Sequence, residues 1–382
     1  MYLAVDSPKQ FAEQLSALPR GADDYLLILL ADGHLEQVES IFLALKERDL
    51  PFFGAVVPAV FRGTQWFSTG AVVRTIPCLG PPAVVLLEKS GHRWLGTLPA
   101  PSRMPATKPL LYLFVDSLAP GISCFLSHLF NRYGNRVSYF GGGAGNRRLE
   151  SAAAVFTSDG IYSNALVAVV TGLQGEVSVH HGWDRVAGPF VVTSTRNNVI
   201  EEIDWEPALE FYRQLLPPDL RETAAEEFYD KVASAYPFGI QKTGREDIVR
   251  DPIYITDSGG LVCLSEVPLY SVLYLLHGNP SSLVEAAGMA MEQVISRSGA
   301  PHVDCLACDC FSRMLFLGKD YRRELEAVIR NLEPVAPGLT VEGGIVLGEI
   351  ASDGEQSLEF YNKTFVVNAL YGRNACLERK PQ

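Results

Sequence analysis

The stretch YLLILLADGHLEQVESIFLALKERDLPFFGA, residues Tyr25 to Ala55, opens on an unbroken apolar run that stops at Asp32. Leu35, Val38, Phe42 and Leu45 then recur at helical spacing, and Pro51-Phe52-Phe53-Gly54-Ala55 follows. An apolar run of this length reads as a strand covered on both faces, and the three-and-four spacing as the inner stripe of a helix. The segment is thus strand, acidic turn, helix, strand, glycine. It has a counterpart: Leu110 to Val115 ends at Asp116, Phe125, Leu126, Leu129 and Phe130 take helical spacing, and Tyr139-Phe140-Gly141-Gly142 follows. Hairpin-like material comes after each glycine, Trp66 to Val73 in the first case, Ala153 to Thr157 and Ala165 to Gly172 in the second. The expected fold class is α/β, with mixed sheets flanked by helices. The first part of the chain is either an internal duplication of βα units or two generic units alike by chance.

Working outward, 382 residues exceed what one average core organises, so two domains are expected. Gly80 to Pro82 and Pro99 to Pro109 read as loops, the latter separating the two βα units. The domain boundary is placed near Asp204, giving domains of residues 1–204 and 205–382. Asp204 reads as the N-cap of a helix with Pro207 in its first turn, running to Leu216 and stopped by Pro217-Pro218. Further helices are expected over Thr223 to Tyr236, from a capping box of Ser282 and Glu285 through Val294, and over Asp320 to Asn331. Glu342-Gly343-Gly344 reads as a turn before a last strand over Thr364 to Leu370.

A hydrophobic fraction of 47% and a charged fraction of 20% are those of an ordinary globular protein. The formal net charge of -12, with no run of Lys and Arg, argues against nucleic acid and against docking on anionic membrane. No window holds the roughly 18 apolar residues of a membrane span, and the N-terminus lacks a signal-peptide pattern, so a cytoplasmic location is expected. Seven cysteines, with Cys78, Cys124, Cys263 and Cys376 scattered singly, fit reduced thiols better than a disulfide framework.

Several groups of residues could carry chemistry. In PHVDCLACDCFSR, His302, Cys305, Cys308 and Cys310 could supply ligands to zinc or iron; equally, VDCLACDC could be a buried strand in which cysteine is a small hydrophobe. His180 and His181 could offer an imidazole to haem iron, non-covalently because no CxxCH occurs, or could bond the turn before Trp183. Gly141 to Asn146, GGGAGN, could present backbone N–H groups of Gly142 and Gly143, with Asn146, to a polar ligand, or could be a plain connection. It is neither a Walker A loop nor a dinucleotide fingerprint. No Gly-x-Ser-x-Gly elbow, HExxH or Ser-x-x-Lys set occurs, so nothing points positively to an enzyme.

A larger pattern runs through the chain. SVHHGWDRVAGPFVVTSTRNNVIEEID spans Ser178 to Asp204, Cys310-Phe311-Ser312-Arg313 follows, and Gly348-Glu349-Ile350 precedes Asn362-Lys363-Thr364-Phe365-Val366. In this order the motifs resemble the FIST sensory family, a FIST domain followed by a FIST C domain, and GGGAGN resembles that family's glycine turn. One departure is GAVVPAVFRG, Gly54 to Gly63, where relatives carry a Gly-Cys-Ser/Thr type turn. The resemblance implies a bacterial, cytoplasmic sensor that binds a small ligand such as an amino acid near the interface of its two domains. It would regulate a partner output protein, a histidine kinase or a cyclic-di-GMP enzyme. Some relatives are described as haem proteins sensing nitric oxide, which gives His180 and His181 their alternative role; an enzyme with a Cys-rich metal site is the other alternative. Arg250, Arg313 and Glu349 could line a pocket for a small zwitterion, the guanidinium groups gripping a carboxylate and Glu349 an amine. Alternatively Arg313 and Glu349 form a buried ion pair.

Overall fold

The computed structural model describes residues 1–88, 91–105, 107–244, 246–298, 302–352 and 357–371, with only the backbone described for His302 and Val303. Cys376 lies outside these residues. The first unit comprises β1 (Tyr2–Leu3), α1 (Pro8–Ser16), β2 (Asp24–Ala31), α2 (Val38–Lys46), β3 (Phe52–Val57), a hairpin of β4 (Ala59–Arg62) and β5 (Gln65–Phe67), and β6 (Ala71–Pro77). Strands β2 and β3 run parallel around the α2 crossover, and β6 lies antiparallel on the other side of β2. The second unit repeats this plan with β7 (Ala83–Glu88), β8 (Gly91–Leu95), β9 (Pro109–Asp116), α3 (Ile122–Tyr133), β10 (Ser138–Ala144), β11 (Val155–Thr157), β12 (Gly160–Tyr162) and β13 (Ala165–His180). Here β9 is parallel to β10 and antiparallel to β13.

An antiparallel sheet then intervenes: β14 (Trp183–Arg196), β15 (Val199–Ile203), β16 (Glu206–Pro207), α4 (Ala208–Leu215), β17 (Phe238–Ile240), β18 (Ile248–Arg250), β19 (Pro252–Ile255), β20 (Leu261–Cys263) and β21 (Val272–Gly278). The chain afterwards builds a third unit of α5 (Pro280–Arg297), β22 (His302–Cys310), α6 (Phe311–Leu317), α7 (Tyr321–Leu332), β23 (Glu342–Val346), β24 (Glu349–Ser352), β25 (Glu359–Tyr361) and β26 (Phe365–Tyr371). Strand β22 is parallel to β23 and antiparallel to β26, as in the first two units.

The three units share one register. Gly54 sits opposite Ile28, Gly141 opposite Leu113 and Gly343 opposite Ala307. A Cβ at these glycines would lie 1.9, 1.6 and 1.9 Å from the partner's carbonyl oxygen, so the close approach of each parallel pair requires glycine. The hairpin after each second strand pairs with another unit: β11 with β3, β24 with β10 and β4 with β23. Phe156, Ile350 and Phe61 respectively face the same three glycines, which closes the units into a ring with a pseudo-threefold arrangement. The plan read in two βα units is thus present in three. Helices cover the outer faces: α1 and α2 pack on Leu26, Ile28 and Leu30, α3 on Leu111 and Leu113, and α5 and α7 on Ala307 and Val367. The inner faces, among them Leu29, Tyr112, Phe114, Leu306 and Val366, meet in one shared core. This is an α/β fold of mixed sheets, and no described helix is long and apolar enough to cross a membrane.

Several local expectations are corrected. Asp204 does not cap a helix: with Trp205 it forms the β15–β16 turn, both at positive φ, and α4 starts only at Ala208. The Ser282–Glu285 box is displaced by a cap one turn earlier, where the Asn279 side chain accepts from the Ser281 N–H (2.9 Å) and Pro280 takes the first helical position. Thr223 to Tyr236 holds only a 3₁₀ turn at Ala225–Glu227 and a π turn at Tyr229–Ala233. Gly141 to Gly143 and Gly343-Gly344 are strand residues, because each run must pass close to a neighbouring backbone or side chain.

Candidate functional site

Strand β13 ends at His180, the chain turns at His181-Gly182, and β14 begins at Trp183. This is where the backbone leaves the ring for the inserted sheet. Gly182 has φ of +72°, and a Cβ there would lie 2.5 Å from the Ser282 carbonyl of α5, so only glycine makes this corner. Beside the corner lies a cleft of about 260 Å³ lined by His180, His181, Glu246, Gln293, Thr364 and Tyr361, among others. It thus draws on the inserted sheet, on α5 and on the third unit.

Glu246 organises the two histidines. Its Oε1 lies 2.7 Å from Nδ1 of His180, and its Oε2 accepts the backbone N–H of His181 at 2.7 Å. The other ring nitrogen of His180 is 3.2 Å from Oε1 of Gln293, which also accepts from the Ser178 hydroxyl. Burial disfavours the imidazolium of His180, but the hydrogen bond and charge of Glu246 outweigh it and raise the pKa above the ordinary 6.5. Glu246, for its part, is held below the usual carboxylate value: the two histidines overcome its own burial. His181 goes the other way, lowered by burial, and its Nδ1 accepts the Trp183 N–H at 2.8 Å. Its proton therefore sits on Nε2, which is buried and makes no hydrogen bond among the described residues; Glu246 Oε2 is 3.6 Å away.

Behind the cleft the motifs that are far apart in sequence converge in a buried polar knot. Arg313 donates to Glu324 (2.6 Å) and to the carbonyls of His181, Leu283 and Lys363, tying together the histidine corner, the start of α5 and the turn before β26. Lys363, at φ +58°, places its ammonium 3.1 Å from Asp251 and 4.9 Å from the Trp183 ring. Its backbone N–H donates to the Cys310 sulfur (3.2 Å). Glu349 accepts from both the N–H (3.1 Å) and the hydroxyl (2.7 Å) of Thr364, and burial pushes its carboxyl up to about 8. The alternative of a buried Arg313–Glu349 ion pair is not realised: Arg313 pairs with Glu324, and Glu349 accepts from Thr364.

Of the residues the sequence singled out for ligand, only His181 lines this cleft, joined by His180. Gly142 and Gly143 lie within β10, opposite Glu349 and bonded to Gly348 respectively. Asn146 closes its own turn on Arg148 and Glu150. Arg250, buried in β18, donates to the carbonyls of Glu266, Val249 and Phe360. The cysteines of β22 do not converge: Cys305 packs on the α5 and α7 side, Cys308 on the shared core. Burial raises the Cys305 thiol to about 12 and pushes the Cys308 thiol well above its ordinary value, and no three metal-ligating side chains gather among the described residues. The His302 side chain lies outside the described residues. For haem, both ring nitrogens of His180 are engaged, which leaves His181 Nε2, and a cleft of this volume lies below the 300–1,000 Å³ of sites for larger ligands. Sequence reasoning missed Glu246, Gln293 and Asp251. Glu246 lies in GREDIVR, four residues before the arginine that drew attention instead.

No curated protein matches the chain. The family model of the FIST N domain matches residues 78–206 and that of the FIST C domain residues 208–352, so that the junction falls inside the inserted sheet and the first unit precedes both. Matched in this order over most of its length, the chain belongs to the FIST family.

Proposed function

We propose that this chain senses a small zwitterion, such as an amino acid, in the cleft beside His181 and Glu246, and regulates a partner protein that carries the output. The association of FIST domains with signal-transduction sensing supports this reading. The observation that carries this reading is the Nε2–H of His181. A buried donor without an acceptor costs about 1–3 kcal/mol, and this one, which has none among the described residues, borders a cleft of amino-acid size next to a carboxylate. A ligand carboxylate would accept from His181, and a ligand ammonium would pair with Glu246. Because Glu246 leads into β18 while Gln293 belongs to α5, a ligand touching both biases how the inserted sheet sits on the third unit.

The test is a thermal-shift screen of amino acids, followed by affinity measurement on Glu246→Gln. The amide still accepts the His181 N–H but lacks the charge, so at least tenfold weaker binding is expected with the fold retained. Unchanged affinity in that variant would remove Glu246 from the site. A stoichiometric Soret band in purified protein would instead favour haem, and its loss in His181→Ala would assign His181 as the ligand.

A further inference from the structure

The outer part of the inserted sheet carries a feature that folding does not account for. Ile203 pairs with Glu206, leaving Asp204 and Trp205 as a two-residue turn at φ +49° and +63°. Such a turn favours glycine at its second position, since left-handed backbone is strained for a bulky residue. Trp205 occupies that position and is 79% exposed, so its ring contributes little packing in return. Tyr270, at φ +63° and 72% exposed, repeats the pattern on the opposite side of β14. The Trp205 N–H donates to Thr193 Oγ1 and the Tyr270 N–H to the Val192 carbonyl, both at 2.9 Å. The two turns therefore flank neighbouring residues of one strand, about 10 Å apart across the sheet. Leu269, also exposed, adjoins Tyr270.

The segments that carry these rings are acidic, between Arg196 and Arg213 in one case and Arg250 and Arg297 in the other. Asn197 to Tyr212 contains five acidic residues and no Lys or Arg, and no Lys or Arg occurs from Asp251 to Ser296. Glu201 pairs with Arg196, whereas Glu202, Glu210 and Glu266 are exposed. Strained exposed aromatics mark sites where side-chain placement serves something other than stability, and tryptophan and tyrosine are the residues that anchor interfaces.

We propose that this face docks a basic segment of a partner protein, with arginine or lysine side chains over Trp205 and Tyr270 and paired with the surrounding glutamates. A second copy of the chain is disfavoured, because a twofold contact would set these acids against themselves. The same charge excludes nucleic acid. The inference rests on the reading that the chain regulates a partner, and not on the identity of its ligand.

The test uses the full chain without added amino acid and a fluorescein-labelled 15-residue peptide of alternating arginine and leucine, with a glutamate-and-leucine peptide as control. The basic peptide is expected to bind at low salt and the acidic one not. Trp205→Gly should weaken binding at least tenfold while leaving the melting temperature equal or higher, since glycine suits the turn and the charge is unchanged. Equal binding by Trp205→Gly, equal binding of the acidic peptide, or a lowered melting temperature in that variant overturns the proposal. So does a dimer in sedimentation that Trp205→Gly dissolves, which would give the face to a second copy.

Discussion

Two adjacent histidines receive opposite treatment from one carboxylate. His180 shares a hydrogen bond with Glu246 and is raised above 6.5; His181 is buried more deeply and lowered. The contribution of His180 to stability is fully present below 6.5 and fades as pH rises through its folded value, whereas His181 withdraws stability as pH falls below 6.5. We expect the two imidazoles to titrate on opposite sides of 6.5 when followed by NMR, and Glu246→Gln to bring His180 down toward it. If they titrate together, the hydrogen-bond assignment is wrong. A second residue-scale expectation concerns Glu349, whose carboxyl is raised from 4.5 to about 8 by burial. A raised acid loses stability as pH climbs from its unfolded to its folded value, so Glu349→Gln should be more stable than the parent at pH 8, by roughly 2–4 kcal/mol. Denaturant unfolding at pH 5 and pH 8 checks this; a difference that does not grow with pH contradicts it. His181 was legible in sequence because the His-His-Gly-Trp corner is a compact motif. Glu246 was not, because nothing local announces that a residue 65 positions onward folds back onto that corner.

At the scale of elements, the strand-helix-strand units around Tyr25 and Leu110 could be read from apolar runs and helical spacing. The third unit escaped for two physical reasons. Its first strand, VDCLACDC, drew attention for its thiols, and its second begins with Gly343-Gly344, which reads as a turn when the approaching backbone of Ala307 is unknown. The same misreading made a loop of Gly141 to Gly143. Glycine in these strands marks contact between backbones, not freedom. Gly141→Ala would place a Cβ 1.6 Å from the Leu113 oxygen, and we expect it to cost at least about 3 kcal/mol or to abolish folding. Gly121→Ala, whose Cβ meets nothing within 4 Å, is the control for loss of glycine at positive φ alone. Similar melting temperatures for the two variants would argue against the close-approach account.

On the scale of the whole molecule, three βα units close into a ring, and a separate antiparallel sheet is spliced between the last strand of the second and the first helix of the third. Both passages of the chain between ring and inserted sheet, at His180 to Trp183 and at Gly278 to Pro280, pack together: a Cβ at Gly278 would strike the Trp183 ring at 2.2 Å. The motifs that carry the family resemblance meet at this junction, where residues as distant as His181, Arg313 and Lys363 belong to one knot. A ligand beside the junction and a partner on the outer turns of the inserted sheet would thus be joined by one rigid element, the sheet itself. The most direct test is a crystal structure of the protein grown with the amino acid that gives the largest thermal shift. The account predicts the ligand in the cleft, its carboxylate within hydrogen-bond distance of His181 Nε2 and its ammonium at Glu246; a ligand bound elsewhere, with His181 Nε2 contacting none of it, would contradict the account.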